Sequence, residues 1–323
     1  MSATIQPIVA APRDSWRAVG RAVGMFIAYA FSLAAASLPV AIVFFLFSWL
    51  VNHEEPREIS LHLEDALLWL NAFAALLALL AALVFASLAV RWVDRRGSLR
   101  DLGFAVSPNT RRVSLVGAMA AIVLIGVVFA AQSWLGWARV TDLMWQREGW
   151  GDVIGDFFGT LLLVASAALG EELVFRGYVR FTLTDSLGAR GALVVSAILF
   201  ALFRVFGGVV TRLGSAELIL AGVTALVAGM VLGGLFLIGK SLWAPVAAHF
   251  AWSFVGGFVF SLPIAGTPVD GLIGTQVSSG LVTGGRFGPE GGLIGLIVLA
   301  LAGMIVWVAM KRLLWTKLGL ALD

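Results

Sequence analysis

The chain has no cysteine. Disulfides, thiolate metal sites and a cysteine nucleophile are therefore excluded. Charge is also scarce: 13% of the 323 residues are charged, against roughly 25% in a soluble domain. Only three histidines occur, and the net charge is +3. Basic stretches with interleaved aromatics are missing, so no nucleic-acid partner is expected. No polar segment is long enough for a second, soluble domain. What the chain does have is apolar length. Hydrophobic residues make up 60% of it, and apolar runs of about 20 residues recur, the length that crosses a bilayer as a helix. Backbone polar groups in lipid must be satisfied internally. The expected fold is an all-α, polytopic membrane helical bundle.

Eight transmembrane helices are expected, at 25–51, 66–90, 113–135, 153–179, 191–210, 218–238, 242–262 and 291–310. A polar arm, 1–24, carries Arg13, Arg17 and Arg21. The run after it exceeds a signal-peptide core and lacks a clear small-x-small cleavage site, so it is read as a retained anchor. The segment 52–65 is acidic and holds His53 and His62, both read as solvated. The segment 91–112 carries Arg91, Arg95, Arg96, Arg100, Arg111 and Arg112. The connector 136–152 contains Trp145 and Trp150, which suit an interfacial belt. Arginine and lysine alternate sides under the positive-inside rule, which places both termini in the cytoplasm of a multi-pass plasma-membrane protein. The expected parts are the cytoplasmic arm 1–24, accessory transmembrane helices 25–135, a membrane core 153–310 and a cytoplasmic tail 311–323. Gly229 and Gly233 are four apart, a pattern for close helix packing. Gly207-Gly208 and Gly256-Gly257 are candidate bends. No internal repeat is visible.

The polar residues inside these spans carry the functional argument. Ionisable groups in a membrane span are costly and are functional candidates by default. Gly170-Glu171-Glu172-Leu173-Val174-Phe175-Arg176-Gly177 places two carboxylates at the end of an apolar run. Glu172 and Arg176 share a helix face, while Glu171 is rotated by about 100°. One glutamate is thus neutralised within its helix and the other is left for a partner or for chemistry. The plainer alternative is that both carboxylates only pair with arginines and fix packing. His249 lies about two turns into the span at 242–262, with Ser253 one turn on. Arg204 lies about 14 residues into the span at 191–210; such an arginine faces the bundle interior and pairs with a carboxylate. Its deep position favours Glu172, or a place a turn beyond the pair, leaving Glu171 free. Glu171, Glu172, Arg176, Arg204, His249 and Ser253 are expected around one cavity opening toward the cytoplasm.

Gly170-Glu171-Glu172 through Arg176-Gly177 resembles the EExxxR signature of the CAAX-protease and bacteriocin-processing (CPBP) intramembrane proteases, which include the type II CAAX prenyl endopeptidases. Lys240-Ser241-Leu242-Trp243-Ala244-Pro245 through His249 and Ser253 is similar to that family's HxxxN/D segment and its lead-in. Gly284-Gly285-Arg286-Phe287-Gly288-Pro289-Glu290-Gly291-Gly292 resembles the tail of bacterial members. Two departures stand out. The family's FxxxH motif keeps Phe200, but Arg204 stands where its histidine belongs. Ser253 stands where the family has Asn or Asp.

The resemblance implies hydrolysis of a peptide bond in a membrane-delivered peptide or lipidated protein, with the lipid bilayer as the other partner. It makes Glu171 the base that activates water, seconded by Glu172, and makes His249 an oxyanion donor with Ser253 a weaker one. Arg176 and Arg204 become charge or substrate partners. It also raises zinc as a cofactor. A zinc site usually wants three protein ligands, and only Glu171, Glu172 and His249 are on offer. Arg204 can neither ligate a metal nor take a proton at ordinary pH. The ligand count therefore argues against zinc. Two alternatives stand beside the endopeptidase: a catalytically inactive family member that binds or regulates, and a transporter or channel using the buried charges as a relay.

Overall fold

All eight apolar segments are helical in the computed structural model, which describes residues 12–50, 56–94, 98–147, 149–278 and 280–317. His53, Arg95 and Arg96 lie outside these residues, and the side chains of Arg13, His62, Trp145 and Trp150 lie outside the description too. The helices are α1 (Pro12–Leu50), α2 (Pro56–Leu88), α3 (Pro108–Trp134), a short α4 (Met144–Arg147), α5 (Trp150–Glu172), α6 (Arg180–Val210), α7 (Ser215–Gly239), α8 (Trp243–Phe254) and α9 (Leu293–Lys317). Three π-helical stretches extend them: Ala89–Val93 after α2, Leu173–Val179 between α5 and α6, and Val255–Val259 after α8.

The segment 52–65, expected as a loop, is helical from Pro56 onward. Hydropathy marks where a span leaves the bilayer, whereas the helix continues past that point. Proline suits a first helical position because its missing N–H would be unpaired there anyway. Pro108 starts α3 the same way, with the Ser107 side chain accepting from Thr110 N at 3.1 Å. Gly207 and Gly208 do not break α6. Gly256 and Gly257 lie in the π stretch after α8.

Six helical runs among the described residues are long and apolar enough to cross a membrane. The longest, 153–210, is folded into two antiparallel arms. Gly188 takes φ 68°, ψ 170° inside it, a conformation open to glycine and strained for other residues. The chain therefore turns there, and the Ser196 hydroxyl on the returning arm donates to Phe175 O at 2.7 Å. The turn falls where it was expected, between the spans 153–179 and 191–210. Helix continues past 179 up to it, so the glutamate pair sits about 24 Å of helix rise before the reversal. α8 and its π extension total 17 residues, shorter than the ~20 of a full span.

α1 packs on α2, α2 on α5, α6 on α7, α3 on α8, and α7 on α9. The π stretch 173–179 is buried along its whole length and forms the centre of the bundle. Large apolar side chains such as Phe31, Leu115, Val116 and Ile305 point outward, as suits contact with acyl chains. Gly229 and Gly233 pack α7 against Ala197 and Leu193 of α6, the close approach their spacing implies.

A small sheet was not foreseen. β1 (Ala138–Leu143), in the connector after α3, pairs antiparallel with β2 (Ile273–Val277), in the glycine-rich loop before α9. Ala138 faces Val277 and Leu143 faces Ile273, with an irregularity between Val140 and Asp142. The sheet joins two loops at the end of the bundle opposite Lys240. At the Lys240 end, the Ser241 hydroxyl donates to Gly103 O and Ala105 O at 2.9 and 2.8 Å.

Candidate active site

The last turn of α5 and the π stretch after it set the site. Glu172 is fully buried, and its Oε1 accepts from Arg176 Nη1 at 2.9 Å. This is the i,i+4 neutralisation the spacing implies. Arg176 Nη2 also donates to Gly229 O at 3.2 Å, tying the helix to α7. Glu171 faces another direction. Its Oε2 accepts from Arg204 Nη2, on α6, at 2.9 Å.

The observed pair is thus Arg204 with Glu171, not with Glu172. The antiparallel hairpin makes it so: a residue pairs with the one level with it on the other arm. Depth within a single span does not show which residue lies level with it on the other arm. Glu171 uses only Oε2 in this pair; Oε1 stays outside it.

His249 on α8 completes the cluster. Its Nδ1 lies 3.0 Å from Glu172 Oε1 and its Nε2 lies 3.2 Å from Arg204 Nη2. A carboxylate accepts and a guanidinium donates. These partners assign the proton to Nδ1 and leave the Nε2 lone pair facing Arg204. In that tautomer His249 has no N–H to offer an oxyanion; the nearest donor is Arg204. Phe200 lies beneath both guanidiniums, with Arg176 Cζ 4.5 Å and Arg204 Cζ 5.2 Å from its ring centre. Such stacking stabilises buried cations. The Phe200 ring also meets His249 edge-on at 6.3 Å.

Two residues at the site carried no role in the sequence. Glu290 Oε2 lies 3.2 Å from Arg204 Nη1, so Arg204 bridges two carboxylates. The signal was one acidic residue in a glycine-rich stretch before an apolar span. Tyr29, one of only two tyrosines, is buried against Phe203, with ring centres 5.5 Å apart. A Cβ at Gly170 would lie 2.9 Å from its hydroxyl. Gly170 is what lets α1 approach the glutamate helix. Ser253 makes none of these bonds. It borders a small side cavity of about 10 Å³ that Glu290 also lines.

Next to the cluster lies an apolar cavity of about 670 Å³ between α3, α7, α8 and α9. That is within the range of ligand-binding cavities. Arg204, His249 and Glu290 form its polar end, and Phe200 and Trp252 lie beside them. Leu115, Val116, Met119 and Ile305 line it and are exposed on the outer surface. Its mouth is therefore lateral, between α3 and α9. Glu171, Glu172, Arg176 and Ser253 are not on its wall, so the six residues do not surround one common cavity.

Residues 153–255 match the family of type II CAAX prenyl endopeptidase Rce1-like proteins. The match spans about a third of the chain. No curated protein matches it. The matched segment is thus similar to a family of CAAX-type intramembrane proteases, and six helices among the described residues, long and apolar enough to cross a membrane, make the chain a multi-pass membrane protein. The Rce1-like segment holds Glu171, Glu172, Arg176, Arg204, His249 and Ser253. Tyr29 and Glu290 come from outside it.

The donor set does not fit a zinc ion. The Arg204 guanidinium stands between Glu171 and His249, within hydrogen-bond reach of both. A dication there would meet a fixed positive charge. Glu172 Oε1 already accepts from Arg176 and His249. No group of three His, Asp or Glu arranged for a metal occurs among the described residues.

Proposed function

We propose that this protein is an intramembrane endopeptidase that uses Glu171 to activate water and works without a metal. The reading rests on one observation above all: Arg204 stands at the polar end of an apolar cavity with Glu171 bonded to it from behind. A membrane-delivered peptide, prenylated or otherwise apolar, places its anchor in that cavity and its scissile carbonyl at Arg204. Glu171 Oε1 takes a proton from a water molecule, whose oxygen attacks the carbonyl carbon. Arg204 donates N–H groups to the oxyanion, the term that usually contributes most in such chemistry. The C–N bond then breaks, and the amine leaves with the proton from Glu171. Glu172, Arg176 and His249 hold the geometry, with Ser253 as a further donor from the small side cavity that Glu290 also lines.

In this reading residues 153–310 form the catalytic core and helices 25–135 support it through Tyr29. The arm 1–24 and the tail 311–323 lie in the cytoplasm, and the protein resides in the plasma membrane. The test is peptide cleavage by purified protein in nanodiscs, followed by mass spectrometry, with and without chelator. Wild type should cleave under both conditions and Glu171→Gln should not. Cleavage that survives Glu171→Gln removes the glutamate from the mechanism.

The Arg204–Glu171 bond also favours a second reading, a non-catalytic binder. A carboxylate held by a guanidinium has lone pairs occupied and is a poorer base. That reading expects wild type to be inert and Arg204→His, which restores the motif residue, to gain cleavage.

A further inference from the structure

The charges of the site do not balance. Glu171, Glu172 and Glu290 bring three negative charges to one bonded network, and Arg176 and Arg204 bring two positive charges. His249 adds none in the tautomer its partners assign. One negative charge remains, in apolar surroundings where an unpaired charge is costly.

The three carboxylates differ in access. Glu172 is fully enclosed, and Glu171 lies behind Arg204. Glu290 lines the large cavity, its side chain is 18% exposed, and its contact with Arg204 is longer than that of Glu171. The same cavity presents a second polar group. Thr224 is 1% exposed, lines the cavity, and its hydroxyl has no hydrogen-bond partner. A buried hydroxyl without a partner is a cost that a ligand carbonyl would remove.

We propose that the cavity takes a substrate with one positive charge next to its apolar anchor, received by Glu290, and a carbonyl received by Thr224. The chemical class is a lipidated or strongly apolar peptide with a lysine or arginine beside the anchor. This deepens the endopeptidase reading and rests on it for the word substrate. The loop suits the task. Its backbone is tied by hydrogen bonds from Gly288 N to Gly284 O and from Gly291 N to Gly288 O, and is packed so closely that a Cβ at Gly284 or Gly288 would meet Gly288 O or Pro263 O. Glu290 therefore meets the ligand from a firm base, and its oxygen outside the Arg204 contact accepts the cation.

The test has two arms. The first measures equilibrium binding of three probes to wild-type protein in nanodiscs, with empty nanodiscs subtracted. The probes are N-(2-aminoethyl)dodecanamide, N-(2-hydroxyethyl)dodecanamide and N-dodecanoyl-β-alanine, which share chain and carbonyl and differ in head charge. The ammonium probe should bind about tenfold tighter than the hydroxyl probe, the scale of one charge-assisted hydrogen bond. The carboxylate probe should bind weakest. Glu290→Gln should abolish the ammonium preference, and thermal unfolding of the variant in nanodiscs reports a folded protein. If that variant does not fold, Glu290→Asp replaces it and should reduce the preference. Equal binding of the three heads, preference for the carboxylate, or a preference indifferent to the Glu290 change overturns the proposal.

The second arm compares cleavage of two apolar peptides that differ only by lysine or norleucine beside the anchor. Faster cleavage of the lysine peptide supports the proposal. Equal cleavage assigns the cation site to a lipid amine and overturns its role in the substrate. Absence of cleavage of both, with the binding preference intact, sinks the endopeptidase reading and leaves the cation site standing.

Discussion

One nitrogen of Arg204, Nη2, stands 2.9 Å from Glu171 Oε2 and 3.2 Å from His249 Nε2. A single guanidinium thus serves the two side chains that the family resemblance makes base and oxyanion donor. It fills the place of the missing motif histidine and reverses the roles around it, because a guanidinium only donates.

Removing this cation should be expensive. Arg204→Leu leaves Glu171 and Glu290 without their partner, and breaking a buried pair costs about 3–5 kcal/mol. Arg204→Lys keeps the charge and should recover part of the loss. Denaturation in mixed micelles measures both, and a leucine variant as stable as wild type would refute the pairing.

Gly170→Ala should loosen the contact between α1 and α5, since its Cβ would lie 2.9 Å from the Tyr29 hydroxyl. Overpacking of this kind costs about 1–3 kcal/mol. Tyr29→Phe removes the obstructing oxygen, so the double variant should regain most of that stability. A Gly170→Ala cost that Tyr29→Phe does not relieve would place the strain elsewhere.

At Gly229 the obstacle is backbone. A Cβ there would lie 3.0 Å from Ala197 Cα, and the Gly229 carbonyl holds Arg176. Gly229→Ala should therefore destabilise the protein and lower cleavage together. Gly126→Ala in α3 has nothing within 4 Å of its Cβ. It should be neutral or stabilising by about 0.5–1 kcal/mol. Equal effects at the two positions would contradict the α6–α7 packing.

The chain has no cysteine, so single introduced thiols report topology without background. Arg139→Cys, on β1, and Lys240→Cys, after α7, should label from opposite sides of the membrane. Lys240 should be cytoplasmic, with the arginine-rich segments. Labelling of both from one side would end the proposed orientation.

Hydropathy alone was enough to show a helical membrane bundle, because roughly 20 apolar residues in a row have few other folds available. The pairing of Glu172 with Arg176 was equally legible, since a helix fixes which residues share a face. Hydropathy placed the turn between 180 and 190, the interval that contains Gly188, but not the level at which the two arms pair, because helices continue beyond the bilayer and their polar ends look like loops. That missing register hid the Arg204–Glu171 bond. The β1–β2 pairing was hidden because short strands far apart in sequence carry little periodicity of their own. Glu290 was visible in the chain but had no assigned purpose. Only the folded loop brings it to Arg204, and tertiary structure alone turns one more carboxylate into an unbalanced charge at the end of an apolar cavity.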